Sequence, residues 1–173
     1  MKFWNALWRR RQGYGPMIAV VALILALIAG PALAQGPRIT EADVHAFAVR
    51  QETAWNGRDF DRYFAGFTPD ARFTDQAYVG DKPPVPYGTS TLAEAKAQAR
   101  RSANRSRERG EVRRIQIAAD GRAATVTSRV GSAVTAGGRT RRLCASRVQT
   151  LTLAGGRLRA TRQVDTYVNC RGG

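Results

Sequence analysis

Histidine, cysteine, lysine and acidic side chains are all scarce in this 173-residue chain, and each shortage closes a class of chemistry. With His45 the single histidine, zinc chemistry and a His-dependent catalytic triad are close to excluded. No CxxC, HExxH or Cys/His cluster occurs, and neither a metal nor any other cofactor is expected. The two cysteines, Cys144 and Cys170, form an even count that permits one structural disulfide in an oxidising compartment. Basic residues number 28 against 13 acids, but 25 of them are arginine and 3 lysine. With Ala, Gly and Pro also plentiful, that bias fits the coding preference of a GC-rich genome as well as it fits a basic binding surface.

What the chain does have begins at its N-terminus. Lys2 and Arg9-Arg10-Arg11 precede an unbroken apolar run from Met17 to Ala29, followed by Gly30-Pro31 and Ala32-Leu33-Ala34. A charged segment, a short apolar segment and a small-x-small site in that order describe a secretory signal cut between Ala34 and Gln35. The alternative is an uncleaved anchor, since residues 17–34 reach the lower edge of what spans a bilayer. Residues 1–34 are thus a signal peptide and 35–173 a single periplasmic or secreted domain, with membrane contact only if the N-terminal segment is retained. The first 34 residues hold four of the 28 basic residues and no acid, leaving 24 against 13, a net +11. An excess of this size points to polyanions or to the coding bias above.

Helical periodicity is clearest over 40–56, where Val44, Phe47, Ala48, Gln51 and Trp55 share a stripe and Gln51 is its polar intruder. Thr40 and Asp43 form a capping-box start, and Asn56-Gly57 supplies a left-handed stop. His45 falls one step off the stripe, at the surface. Asp59 caps a second short helix carrying Phe60, Tyr63, Phe64 and Phe67 on one face, and 71–74 reads as a strand leading to Asp75. The proline-rich stretch 76–90, with Tyr78 and Tyr87, reads as a rim or lid. A third helix is expected over 91–107, then strands at 112–118, 122–130, 140–153 and 157–168, with turns at Asp120-Gly121, Gly137-Gly138 and Gly155-Gly156. Turning the last hairpin about Gly155-Gly156 sets Gln149 opposite Arg162, Arg147 opposite Val164 and Cys144 opposite Tyr167. One face of that hairpin is then apolar at both ends and polar at its centre, and Cys170 must curl back to meet Cys144.

The stretch Ala54-Trp55-Asn56-Gly57-Arg58-Asp59-Phe60-Asp61, then Tyr63-Phe64, then Thr68-Pro69-Asp70-Ala71-Arg72-Phe73-Thr74-Asp75, resembles the opening of NTF2-like (SnoaL-like, DUF4440-type) domains. The resemblance spans 39–169 and implies an α+β cone, three N-terminal helices packed on a strongly bent antiparallel sheet. It also implies homodimerisation through the outer sheet face, which here carries Ser146, Val148, Thr150, Thr161 and Gln163. In the ketosteroid-isomerase branch the aspartate after the first strand is the general base, and Asp75 matches it. The branch's tyrosine and carboxyl donors fall on Gln51 and Gln149, amides that are weaker acids than the groups they replace.

Together these readings place Gln51, Trp55, Tyr63, Asp75, Tyr78, Arg147, Gln149 and Arg162 around one cavity, because buried polar groups need partners. Three functions follow. Two inward arginines facing one carboxylate describe a pocket for a small organic anion. Asp75 as general base describes an isomerase, lyase or hydrolase. The run Arg100, Arg101, Arg105, Arg107, Arg109, Arg113 and Arg114 describes an envelope interaction module. Nucleic acid is not an expected partner, since that run lacks aromatic residues for stacking and the domain is exported.

Overall fold

The computed structural model describes residues 36–102 and 106–170; the expected signal peptide (1–34) and Arg105 lie outside them. Helix α1 (Glu41–Asn56) starts at the expected capping box: Asp43 N–H donates to Thr40 Oγ1 (3.2 Å) and Thr40 N–H donates to Asp43 Oδ2 (3.0 Å). Its stop differs from expectation. Gly57 is right-handed, and Arg58 takes the left-handed position at φ 64°. Glycine still eases the close approach at 57, where a Cβ would stand 3.1 Å from the Thr53 carbonyl oxygen. Helix α2 (Phe60–Phe64) is capped by Asp59, whose side chain accepts from the Arg62 N–H.

Next come strands β1 (Phe67–Ala77) and β2 (Val85–Thr91), helix α3 (Leu92–Ser102), and strands β3 (Ser106–Ile117), β4 (Ala123–Ala136), β5 (Arg139–Ala154) and β6 (Arg157–Val168). They form one six-stranded sheet in the order β2-β1-β6-β5-β4-β3. The α+β class holds, with two corrections. The third helix is not N-terminal to the sheet but follows its first hairpin, and the sheet is mixed because β1 runs parallel to β6.

The segment 76–90 is therefore only partly a loop. Pro86 denies a strand one donor, and β2 tolerates this because it is an edge strand with a partner on one side only. The third helix also ends earlier than expected, at Ser102, and 106–111 belong to β3. The glycine pairs behave as expected: Gly137-Gly138 and Gly155-Gly156 all have positive φ, the requirement of the tight turns closing β4–β5 and β5–β6.

The core lies between α1, α2 and the inner sheet face, with Val44, Phe67 and Leu151 its largest fully enclosed side chains. Edge strand β3 is closed by α1 rather than by another strand. Asn56 donates to the Glu108 carbonyl (2.7 Å) and accepts from the Glu108 N–H (2.9 Å), while Glu52 accepts from the Gly110 N–H (2.8 Å). One side-chain amide thus satisfies the donor and acceptor of a residue that the sheet leaves unpaired.

Cys144 and Cys170 are bridged, with Cα atoms 5.2 Å apart. The bridge ties the chain end back to β5 across 26 residues. Cys144→Ser should cost about 3 kcal/mol in the loop-entropy account. Denaturant unfolding with and without reductant measures this, and a loss below about 1 kcal/mol would contradict a structural role.

Candidate functional site

The hairpin register expected from Gly155-Gly156 holds up to Leu151↔Ala160, then slips by one: Thr150 pairs with Arg162, Gln149 with Gln163, Arg147 with Asp165 and Cys144 with Val168. Thr161 is the extra residue of a β-bulge, and a one-residue slip exchanges the faces of everything beyond it. This corrects the site. Arg162 is exposed on the outer face and reaches no cavity, whereas Gln163 and Asp165 point inward and are buried.

The inner face now carries a connected polar network. Arg147 Nε and Nη2 donate to Asp165 Oδ1 and Oδ2 (2.8 and 2.9 Å), and Nη1 donates to Glu108 Oε2 (3.2 Å). Gln163 donates to Asp165 (3.1 Å) and accepts from Gln149 (2.9 Å). The side chains of Arg147, Glu108 and Asp165 are each 14% exposed or less. Burial works against the Arg147 charge, but the Asp165 and Glu108 carboxylates outweigh it, so the guanidinium stays firmly protonated.

This network walls off two cavities. The first, about 270 Å³, lies under α3 and is lined by Trp55, Tyr63, Phe64, Phe73, Asp75 and Tyr167, among others. The second, about 510 Å³, lies between α1 and strands β3–β5 and includes Gln51, Ser128 and Gln149. Tyr63, Glu108 and Arg147 line both. The two amides that match oxyanion donors by position are thus absent from the cavity lining around Asp75. Gln51 donates to the Tyr63 carbonyl (3.2 Å), which leaves its own Oε1 without a partner. Gly66 makes room for that amide, since any Cβ there would collide with Gln51 Nε2. Tyr78 is 56% exposed beyond the end of β1 and lines neither cavity.

Asp75 sits near the C-terminal end of β1, where a second bulge opposes Gly88 to Asp75 and Pro86 to Gln76. The bulge places the Tyr87 ring against that of Tyr167, with centroids 6.2 Å apart. Burial, aided by the Asp165 charge, pushes the Asp75 pKa up, with Arg147 and the Tyr167 hydroxyl opposing. Burial likewise raises the pKa of Tyr63 and Tyr167, so both phenols stay neutral. Two inward arginines would have depressed Asp75; Arg162 faces outward and Arg147, though it still opposes the shift, is shared by two carboxylates, so burial prevails.

Glu108, Gln163, Asp165 and Tyr167 were not among the expected site residues. A signal for Asp165 was present, since the slipped register sets it opposite Arg147 and opposite charges favour that pairing. Glu108 carried none, because it falls just past the expected helix end. The arginine run is divided: Arg100 pairs with Asp61, Arg113 with Glu111, and Arg107 donates to the Asn56 carbonyl.

No family model and no curated relative matches the sequence. Solved structures do. A ketosteroid isomerase-like protein from Erwinia carotovora atroseptica aligns at TM-score 0.56 and 16% identity, over 76% of this chain and 99% of that one. The beta subunit of the benzoate 1,2-dioxygenase from Burkholderia mallei aligns at TM-score 0.59 and 15% identity, over 77% and 93%. An NTF-2 like protein of unknown function from Shewanella oneidensis aligns at TM-score 0.53 and 16% identity, over 72% and 97%. At these identities the likeness is one of fold, and the fold is NTF2-like.

A raised Asp75 pKa has a thermodynamic consequence. Between the ordinary aspartate value of 3.8 and the raised one, the folded chain holds a proton that the unfolded chain has lost, so stability falls as pH rises. Asp75→Asn should therefore raise the melting temperature at pH 7, and the gain should shrink below about pH 4, where both states are protonated. Melting curves at the two pH values test this, and no gain at pH 7 would contradict it.

Proposed function

We propose that residues 35–173 act outside the cytoplasm as a binding domain for a small organic molecule, held in the cavity beneath α3. One observation carries this reading. Asp75 is a half-buried carboxylate outside every ion pair among the described residues, and it faces a cavity whose wall combines aromatic rings, serines and the Arg147 network. A recess that sets convergent polar groups among aromatic rings is a usual composition of a small-molecule site. The Cys144–Cys170 bridge supports an oxidising location, and among the described residues no helix is long and apolar enough to cross a membrane. The organic anion inferred from two inward arginines loses its basis, because Arg162 is outside and Arg147 is engaged.

A second reading keeps the same cavity and adds chemistry, with Asp75 as general base. Its support is the direction of the Asp75 shift, toward the range in which a carboxylate accepts a proton effectively at neutral pH. The Tyr167 hydroxyl lies close enough to Asp75 to favour its ionised form. Dimerisation through the outer face and membrane contact through a retained N-terminus remain part of the proposal; neither is needed for the cavity to work.

Trp55 lines the cavity and is the single tryptophan after residue 34, so its emission reports occupancy of the mature domain. A panel of small neutral, cationic and anionic organic molecules should contain members that shift Trp55 emission and raise the melting temperature. Ala95 lines the same cavity, and Ala95→Trp should abolish the thermal shift by filling it. Thermal shifts that persist in a folded Ala95→Trp chain would place binding elsewhere. Any turnover found should vanish in Asp75→Asn; turnover that survives would remove the base.

A further inference from the structure

We infer that this cavity selects organic cations. The inference rests on the binding reading above and adds the charge of the ligand.

The first observation is a charge count. Asp75, Asp165 and Glu108 all line the cavity, and Arg147 is the one cation among its described lining residues. Arg147 spends Nε and Nη2 on Asp165 and Nη1 on Glu108, so both of its charged partners are carboxylates of the wall. With Asp75 ionised, three negative charges face one positive charge, and a bound cation would restore balance in a place where water screens poorly.

The second observation is the lining. Trp55 and Tyr63 have ring centroids 5.0 Å apart, Tyr63 and Phe64 5.0 Å, and Phe64 and Phe73 5.9 Å. Tyr167 adds a ring beside Asp75, with Tyr87 packed on it. Ring faces attract cations electrostatically, and aromatic walls with a nearby carboxylate suit an alkylated ammonium group. A bare metal ion fits poorly, since it needs a shell of oxygen or nitrogen ligands, and no metal-holding cluster occurs among the described residues. The volume of about 270 Å³ sets the scale at a compact amine rather than an extended one.

Linkage ties occupancy to pH. The titratable or charged groups facing Asp75 are Asp165 and Tyr167 from β6, Arg147 from β5, Glu108 from β3, Tyr87 from β2 and Tyr63 from α2. The lining residues from α1 and α3 are uncharged. A cation beside Asp75 favours its ionised form, so binding should release a proton and weaken as Asp75 is protonated.

The test uses three probes of one shape: choline, its uncharged carbon isostere tert-butylethanol, and the tert-butylacetate anion. Each is titrated against Trp55 emission in the mature domain. Choline should bind about tenfold more tightly than the isostere at pH 7. That ratio should fall toward one in Asp75→Asn and at pH 4. An isostere that binds as tightly as choline, or an anion that binds best, would overturn the cation inference and leave the binding reading standing. Silence from all three probes would overturn the cation inference, and equal silence from the wider panel would overturn the binding reading as well.

Discussion

The interior of this domain depends on one side chain, Arg147, held between Asp165 on the next strand and Glu108 two strands away. Removing three ions from water is costly, and their attraction repays that cost only when every donor is aimed. Here the aim is good. The guanidinium fork meets Asp165 with two bonds, Gln163 satisfies a further lone pair, and Asn56 fixes the Glu108 backbone from helix α1. The network therefore joins α1, β3, β5 and β6, and it forms the wall between the two cavities. It also decides what the larger molecule can do. An arginine so engaged offers little to an anion, and Asp75 is left as the carboxylate outside an ion pair facing the space beneath α3.

Much of the scaffold was legible because it rests on local rules. The Thr40/Asp43 cap, the aromatic face of α2 and the glycine pairs at 137–138 and 155–156 are each set by a few neighbouring residues. The cysteine pairing was legible too, since only one bridge was available. What the sequence hid was non-local. The Thr161 bulge has no glycine to mark it, yet it exchanges Arg162 for Gln163 and Asp165 on the inner face. Strand β2 was hidden by Pro86, which an edge position tolerates, and by the two prolines before it, and the start of β3 was hidden by a helix-like run of arginines.

Two of these misreadings, the Thr161 bulge and the start of β3, shared one consequence, because each moved a charge. With Arg162 inside and Asp165 unnoticed, the cavity looked positive. With the observed register it is negative, and burial, aided by the Asp165 charge, moves the pKa of Asp75 up. A single inserted residue thus reversed the electrostatic sign of the candidate site while leaving the fold class intact. That separation is expected of a fold that accommodates many unrelated functions, where the scaffold is fixed by packing and the chemistry by a few side chains.

The most direct test of this account is the stability of Arg147→Leu against denaturant. If Arg147 is consumed by the wall, the variant strands two buried carboxylates and should lose about 3–5 kcal/mol. Much of that loss should return when Asp165→Asn and Glu108→Gln are added to the same chain. A loss below about 1 kcal/mol, the level of an exposed pair, would show that Arg147 is not committed to the wall and would contradict the account.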